Sequence, residues 1–211
     1  FVDAMNDMIN KMGLKDTHFD NASGWPSPTH YSTVYDLAQL GRRLIKDHPE
    51  YYSIYSEKTF TFGKDSKNIP ITQGNRNPLL YKDLGCDGIK SGHTDEGGYS
   101  LVLSFVSDER RYIAVINGLK SATERSDEAY RVLAWVKENF VNKKLYSKGD
   151  IIEDKAPVDS GVKETVQLII NQDAYALLPR LSPVFKNEKI FKNPLEAPVK
   201  AGECVGKIKI T

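Results

Sequence analysis

The residues best suited to chemistry lie together in "CDGIKSGHTDEGGYSLVLSF", Cys86 to Phe105. Lys90 carries a fixed ammonium that orders neighbouring hydroxyls and attracts a carboxylate. A charge-assisted contact of this kind contributes roughly 1.5–3 kcal/mol. Ser91 adds a hydroxyl that can donate to a carboxylate. Gly92, with no Cβ, lets a ligand backbone approach and pair with a strand edge. On a strand, side chains alternate faces, so Lys90 and Gly92 share one side and Ser91 takes the other. Strand twist at an edge still lets Ser91 lean over the rim. This composes one wall of an acyl-transfer site, and such a wall needs a nucleophile opposite it. A bare Lys-Ser-Gly arises often by chance, so its weight comes from its setting, a glycine-rich turn followed by two alternating apolar segments.

Arg125 is the second candidate. It falls in the first turn of a helix whose start is marked by Ser121 and Glu124, a capping-box pair. An exposed cation there opposes the positive end of the helix dipole, at a cost of about 0.3–1 kcal/mol. Either Asp127 and Glu128 offset that charge locally, or arginine and helix terminus together form a carboxylate-binding corner. The residues alone leave both readings open.

The elements that must position these groups follow from periodicity. Val2, Met5, Met8, Ile9 and Met12 recur at helical spacing, with Gly13 as the stop. This methionine stripe reads as core packing, not a metal site. "NASGWPSPTHYS" reads as a loop. A second helix is expected over about 33–46, with Ser32 as its N-cap and Val34, Leu37, Ala38, Leu44 and Ile45 facing inward. "KTFTF" and "NIPITQGN" form a hairpin around residues 63–68. "YSLVLSFV" places Tyr99, Leu101, Leu103 and Phe105 on one face. With "RYIAVING" and the Lys90 segment it predicts three consecutive antiparallel strands. The helix that begins near Ser121 carries Ala129, Val132, Leu133, Val136 and Phe140 on one stripe. "VNKKLYSKGD" is expected to be a polar connector. Beyond it, "TVQLIIN", "AYALLP", "KIFKN" and "CVGKIKIT" are short strand-like pieces, with no amphipathic helix after about residue 150. The predicted architecture is α+β over residues 1–143, followed by a small β-rich domain over 144–211 that reads as incomplete.

Composition sets the outer limits. A chain of 211 residues, 40% apolar and 27% charged, is ordinary globular material and buries roughly 70% of its unfolded surface. Its net charge of +1, from 29 basic and 28 acidic residues, projects no field toward nucleic acid. Arg42, Arg43 and Lys46 read as a solvated helix face. Cys86 and Cys204 match no metal or redox spacing. No apolar run is long enough to span a bilayer. The opening "FVDAMNDMINKMGL" carries no signal-peptide pattern and reads as mid-helix, so a processed or partial chain is expected.

Several collinear segments, "FVDAMNDMINKMGLKDTHFDNASG", "YSIYSEKTFTF", "NRNPLLY" and "DGIKSGHTDEGGYSLV", resemble the serine D-alanyl-D-alanine carboxypeptidases, the low-molecular-mass penicillin-binding proteins. The resemblance covers nearly the whole chain and is strongest from residue 1 to about 140. That family uses three motifs in order, S-x-x-K, S-x-N and K-T-G or K-S-G. Lys90, Ser91 and Gly92 match the third, and His93 and Thr94 continue it. The resemblance implies a β-lactamase/transpeptidase-like fold without its N-terminal part. It further implies that Lys90 anchors the network around the nucleophile and that Ser91 binds the substrate carboxylate. His93 would hold the peptide through its backbone or stand near the oxyanion hole, and Arg125 would be a carboxylate-binding arginine. Implied partners are peptidoglycan stem peptides ending in D-Ala-D-Ala, β-lactam antibiotics and the missing N-terminal part of the same domain. No cofactor and no metal are implied. The expected location is extracytoplasmic, with membrane association beyond the C-terminus.

Two look-alikes depart from the family's order. Ser160 to Lys163 is the sole S-x-x-K in the chain, yet it follows the K-S-G motif and precedes a strand. Ser66 to Asn68 imitates S-x-N within the hairpin turn. Both are read as coincidences, which places the nucleophilic serine outside this sequence. His18, His30, His48 and His93 support no Ser-His-Asp site, since no G-x-S-x-G elbow accompanies them. Two rivals remain at this stage. One is a non-catalytic carboxylate-binding remnant, which the absence of both upstream motifs from the gene would support. The other is a serine β-lactamase, which the β-rich tail and "SGHTDEGGY" oppose and a deacylation rate would settle.

Overall fold

The alternation of Leu101, Leu103 and Phe105 builds the central sheet. In the computed structural model, which describes residues 1–181 and 185–211, these three side chains are 0–1% exposed. They sit on the middle strand of a sheet ordered β3-β4-β5, with β3 Cys86–Thr94, β4 Gly98–Ser107 and β5 Arg110–Leu119 all antiparallel. Leu79, Ala129 and Leu133 complete that core, so the helix α4 (Ala122–Asn139) covers this face of the sheet. The three-strand expectation holds, and so does the α+β class.

α1 (Val2–Met12) ends at Gly13, whose φ of 75° is left-handed and suits glycine at a helix stop. Of its apolar stripe only Ile9 is fully buried, while Met8 is 51% exposed. α2 (Val34–Asp47) begins one residue later than expected. Thr33, not Ser32, is the cap, its side chain accepting from the Asp36 N–H. Val34 therefore lies in the first turn and is exposed instead of facing inward. A short helix α3 (Pro49–Tyr52) follows, and β1 (Thr59–Lys64) pairs with β2 (Pro70–Gly74) as the expected hairpin. The β3–β4 turn depends on Gly98, where φ is 66° and a Cβ would lie 2.8 Å from the Leu119 carbonyl oxygen.

Two compact units divide the chain, Phe1–Lys137 and Glu138–Thr211. Past the end of α4, the regular elements among the second unit's described residues are all strands. β6 (Phe140–Tyr146) pairs with β9 (Ala174–Pro179), β7 (Ile151–Asp159) lies between β8 (Thr165–Ile169) and β11 (Leu195–Glu196), and β10 (Asn187–Phe191) pairs with β12 (Gly206–Ile210). The change of unit thus comes a few residues before position 143, which itself falls inside β6. The expected connector "VNKKLYSKGD" is largely that strand. Its lysines read as linker, but their backbone pairs with β9, Lys144 opposite Tyr175, and local polarity does not reveal a distant partner. Phe140 likewise opens β6 instead of closing the helix stripe. No helix among the described residues is long and apolar enough to cross a membrane.

Candidate active site

β3 is an edge strand, and it carries Lys90, Ser91, Gly92 and His93 opposite Val102, Leu101, Ser100 and Tyr99 of β4. Lys90 is exposed and its ammonium donates to the carbonyl of Ser91. Ser91 is 8% exposed, so it leans over the rim less than strand twist suggested. At Gly92 a Cβ would meet the Ser100 hydroxyl at 2.6 Å, so that hydroxyl would have to turn away.

Asn77 fixes the base of this strand. It is 1% exposed, and its amide donates to the Gly88 carbonyl at 3.0 Å while its Oδ1 accepts from the Leu79 N–H at 3.1 Å. A second anchor ties the strand to its neighbours. Tyr52 donates to Asp87 Oδ1 at 2.7 Å, and Arg111 pairs with the same carboxylate and donates to the buried Ser104 hydroxyl. Burial, the largest cause, pushes the Tyr52 hydroxyl well above the ordinary tyrosine range, so it acts as a neutral donor.

Arg125 is 7% exposed. The capping pair that precedes it forms as expected on one side, with the Glu124 N–H donating to Ser121 Oγ at 3.0 Å. The glutamate side chain accepts from the Lys120 N–H. The guanidinium lies 5.6 Å over the Tyr99 ring and donates to the Arg76 carbonyl at 3.1 Å. Its Nε is buried with no hydrogen-bond partner among the described residues. A buried donor left in that state costs about 1–3 kcal/mol. Glu128 pairs instead with Arg131, so the local-compensation reading of Arg125 has lost one of its two acids. The His93 ring lies tilted against that of Tyr99, their centroids 3.9 Å apart.

The site is electrostatically cationic. Partial burial first, and then the charges of Arg76 and Arg125, hold the Lys90 ammonium below its ordinary value. Lys90 therefore feels the charges of both arginines. Arg76 was not singled out in the sequence. It sits in "NRNPLLY", an exposed position in a segment without periodicity, and its only signal was membership of a stretch that carried the family resemblance. Tyr99 was legible only as a member of the apolar face.

The look-alike motifs lie elsewhere. Ser160 is in an exposed turn of the second unit with φ 57°, and Ser66 and Asn68 occupy the β1–β2 turn. Neither serine stands at a helix start. Burial pushes the Cys86 thiol up, which favours its protonated form. The described residues contain no metal-binding cluster of His, Cys, Asp and Glu.

Residues 1–121 match the family described as D-alanyl-D-alanine carboxypeptidase. The chain belongs to this family. Residues 140–211 match the C-terminal domain described for penicillin-binding protein 5. The D-alanyl-D-alanine carboxypeptidase DacD of Salmonella typhimurium is 38% identical over 213 residues, covering 100% of this chain and 53% of the relative. Penicillin-binding protein 5 from Haemophilus influenzae superposes with a TM-score of 0.80 at 35% identity, over 100% of this chain and 60% of that one. Penicillin-binding protein 6B from Escherichia coli gives 0.70 at 33% identity, over 100% and 55%. The chain thus spans about half the length of the curated relatives it matches. Among carboxypeptidases of this kind the fold expectation, helices with antiparallel sheets and a β-rich C-terminal domain, is met.

Proposed function

We propose that the chain is part of a serine-type D-Ala-D-Ala carboxypeptidase that trims peptidoglycan stem peptides outside the cytoplasm. The observation that carries this reading is the cationic corner in which Lys90 on β3 feels the charges of Arg76 and Arg125. The nucleophilic serine comes from a segment of the parent protein outside these residues. Its Oγ attacks the carbonyl of the penultimate D-Ala, forming an ester as the C–N bond breaks. The terminal D-Ala leaves with the proton taken from the serine. Water then cleaves the ester and restores the hydroxyl. Ser91 and Arg125 hold the terminal carboxylate, Lys90 adds the positive field, and His93 lines the groove where the peptide backbone lies. β-Lactams acylate the same serine as substrate mimics.

The test compares two proteins. Full-length protein is expected to release D-Ala from a D-Ala-D-Ala peptide and to be labelled covalently by a fluorescent penicillin. The isolated 211-residue chain is expected to do neither. Labelling of the isolated chain would contradict the placement of the nucleophile, and failure of the full-length protein in both assays would overturn the activity.

A further inference from the structure

The ladder between β3 and β4 breaks once. Cys86 lies opposite Phe105 and Gly88 opposite Ser104, so Asp87 is an extra residue, a bulge, on the β3 side. From Gly88 onward the pairing runs unbroken until Thr94 meets Gly98. The bulge therefore sets the register that puts Lys90 opposite Val102 and Ser91 opposite Leu101. Without it the same count would place Lys90 opposite Leu101, a core residue at 0% exposure, and Ser91 opposite Ser100. Residues directly opposite share a face, so a slip of one position turns Lys90 toward the core and Ser91 away from it.

The bulge is clamped by its own side chain. Both carboxylate oxygens of Asp87 lie 2.7 Å from Arg111 Nη1, and Oδ1 also accepts from the Tyr52 hydroxyl at 2.7 Å. The same Nη1 donates to Ser104 Oγ at 2.6 Å, and Ser104 is the β4 residue opposite Gly88. One carboxylate on β3 is thus linked to α3 through Tyr52, to β5 through Arg111 and, by way of Arg111, to β4. Asn77 straddles the bulge, its amide reaching the Cys86 sulfur at 3.5 Å and the Gly88 carbonyl at 3.0 Å.

We infer that Asp87 is a positioning residue for the acyl-transfer reaction. By pinning the bulge it fixes the register in which β3 presents Lys90 and Ser91. It acts through them, since three residues of strand, roughly 10 Å, separate it from Lys90. This role rests on the carboxypeptidase reading above. A fault in register displaces Lys90 and Ser91 together, so it slows acylation by peptide and β-lactam alike.

The test measures two rates of the full-length protein, kcat/KM on a D-Ala-D-Ala peptide and covalent labelling by a fluorescent penicillin. Both are taken well below the melting temperature of each variant, so that loss of folded protein does not enter. Asp87→Ala removes two charge-assisted hydrogen bonds and should lower both rates by about tenfold or more. Asp87→Asn keeps an acceptor for Tyr52 but loses the charge facing Arg111, and its rates should fall between. Arg111→Met should match Asp87→Ala, and the double variant should lose no more than the larger single, because one clamp fails once. Leu133→Val, which loosens the core at α4, should keep both rates. Full rates in Asp87→Ala, or in Asp87→Asn should the alanine variant not fold, would overturn the positioning role and leave the carboxypeptidase reading intact. So would losses that multiply in the double variant, or an equal loss in Leu133→Val. Failure of the unmodified protein in both assays would overturn both.

Discussion

In the first unit Leu101, Leu103 and Phe105 stand side by side at 0–1% exposure and pack with Ala129 and Leu133 of α4. The second unit buries Ala156, Leu178 and Leu195, spread over separate two- and three-stranded ribbons. A candidate site built from an ammonium, a hydroxyl and a buried guanidinium would need a strand locked by a dense core beside it. The second unit contains none of the candidate site residues, and its strands are held by backbone ladders and by ion pairs at the surface, such as Lys144 with Asp173 and Lys189 with Glu153.

The largest effect that tests this contrast is in the core. Leu103→Ala should destabilise the first unit by about 2.7–5 kcal/mol, since the cavity cannot collapse between a paired strand and a helix. Val162→Ala, at a fully exposed position of the second unit, should stay within about 0.5 kcal/mol. Denaturant melts of both variants decide the matter, and comparable losses would erase the distinction. Next comes Ser91. Removing its hydroxyl in Ser91→Ala should lower kcat/KM of the full-length protein by about tenfold, one charge-assisted hydrogen bond. Ser91→Thr should keep most of the rate, because the role requires a hydroxyl. Equal losses in the two variants would reduce Ser91 to a packing residue.

A smaller effect concerns the loop that carries Trp25. The Ser27 and Thr29 hydroxyls hold the Asp20 carboxyl below its ordinary value of 3.8. A carboxylate whose pKa is lower folded than unfolded stabilises above the unfolded value, and that contribution is lost as pH falls through the folded one. The loop should therefore loosen below pH 3.8 and not above it. Trp25 fluorescence in a Trp135→Phe background measures this, and Asp20→Asn should remove the acid transition. A transition that persists in that variant would assign it to other carboxyls.

Much of the first unit was legible because its signals were local and agreed with one another. The period-two run from Tyr99 to Phe105, the helix stop at Gly13 and the Ser121–Glu124 pair each report on a few neighbouring residues. Lys90, Ser91 and Arg125 stood out as candidates, the first two by adjacency and the third by its awkward place in a helix. The missed features depend on distant partners. Arg76 matters because its carbonyl and charge meet residues far along the chain, and Asn77 because it is buried against β3. The β6 strand hid behind two lysines, since only β9 makes it a strand. The choice between Ser32 and Thr33 as cap turned on a single residue of backbone geometry, which composition does not encode.

The central claim is that Arg125 is there for a carboxylate. The direct measurement is kcat/KM of full-length protein and its Arg125→Ala variant on a D-Ala-D-Ala peptide and on the same peptide with an amidated C-terminus. The predicted result is a loss of about tenfold or more on the free carboxylate and little change on the amide. Equal losses on both peptides would contradict the claim and leave Arg125 as a structural residue of the helix.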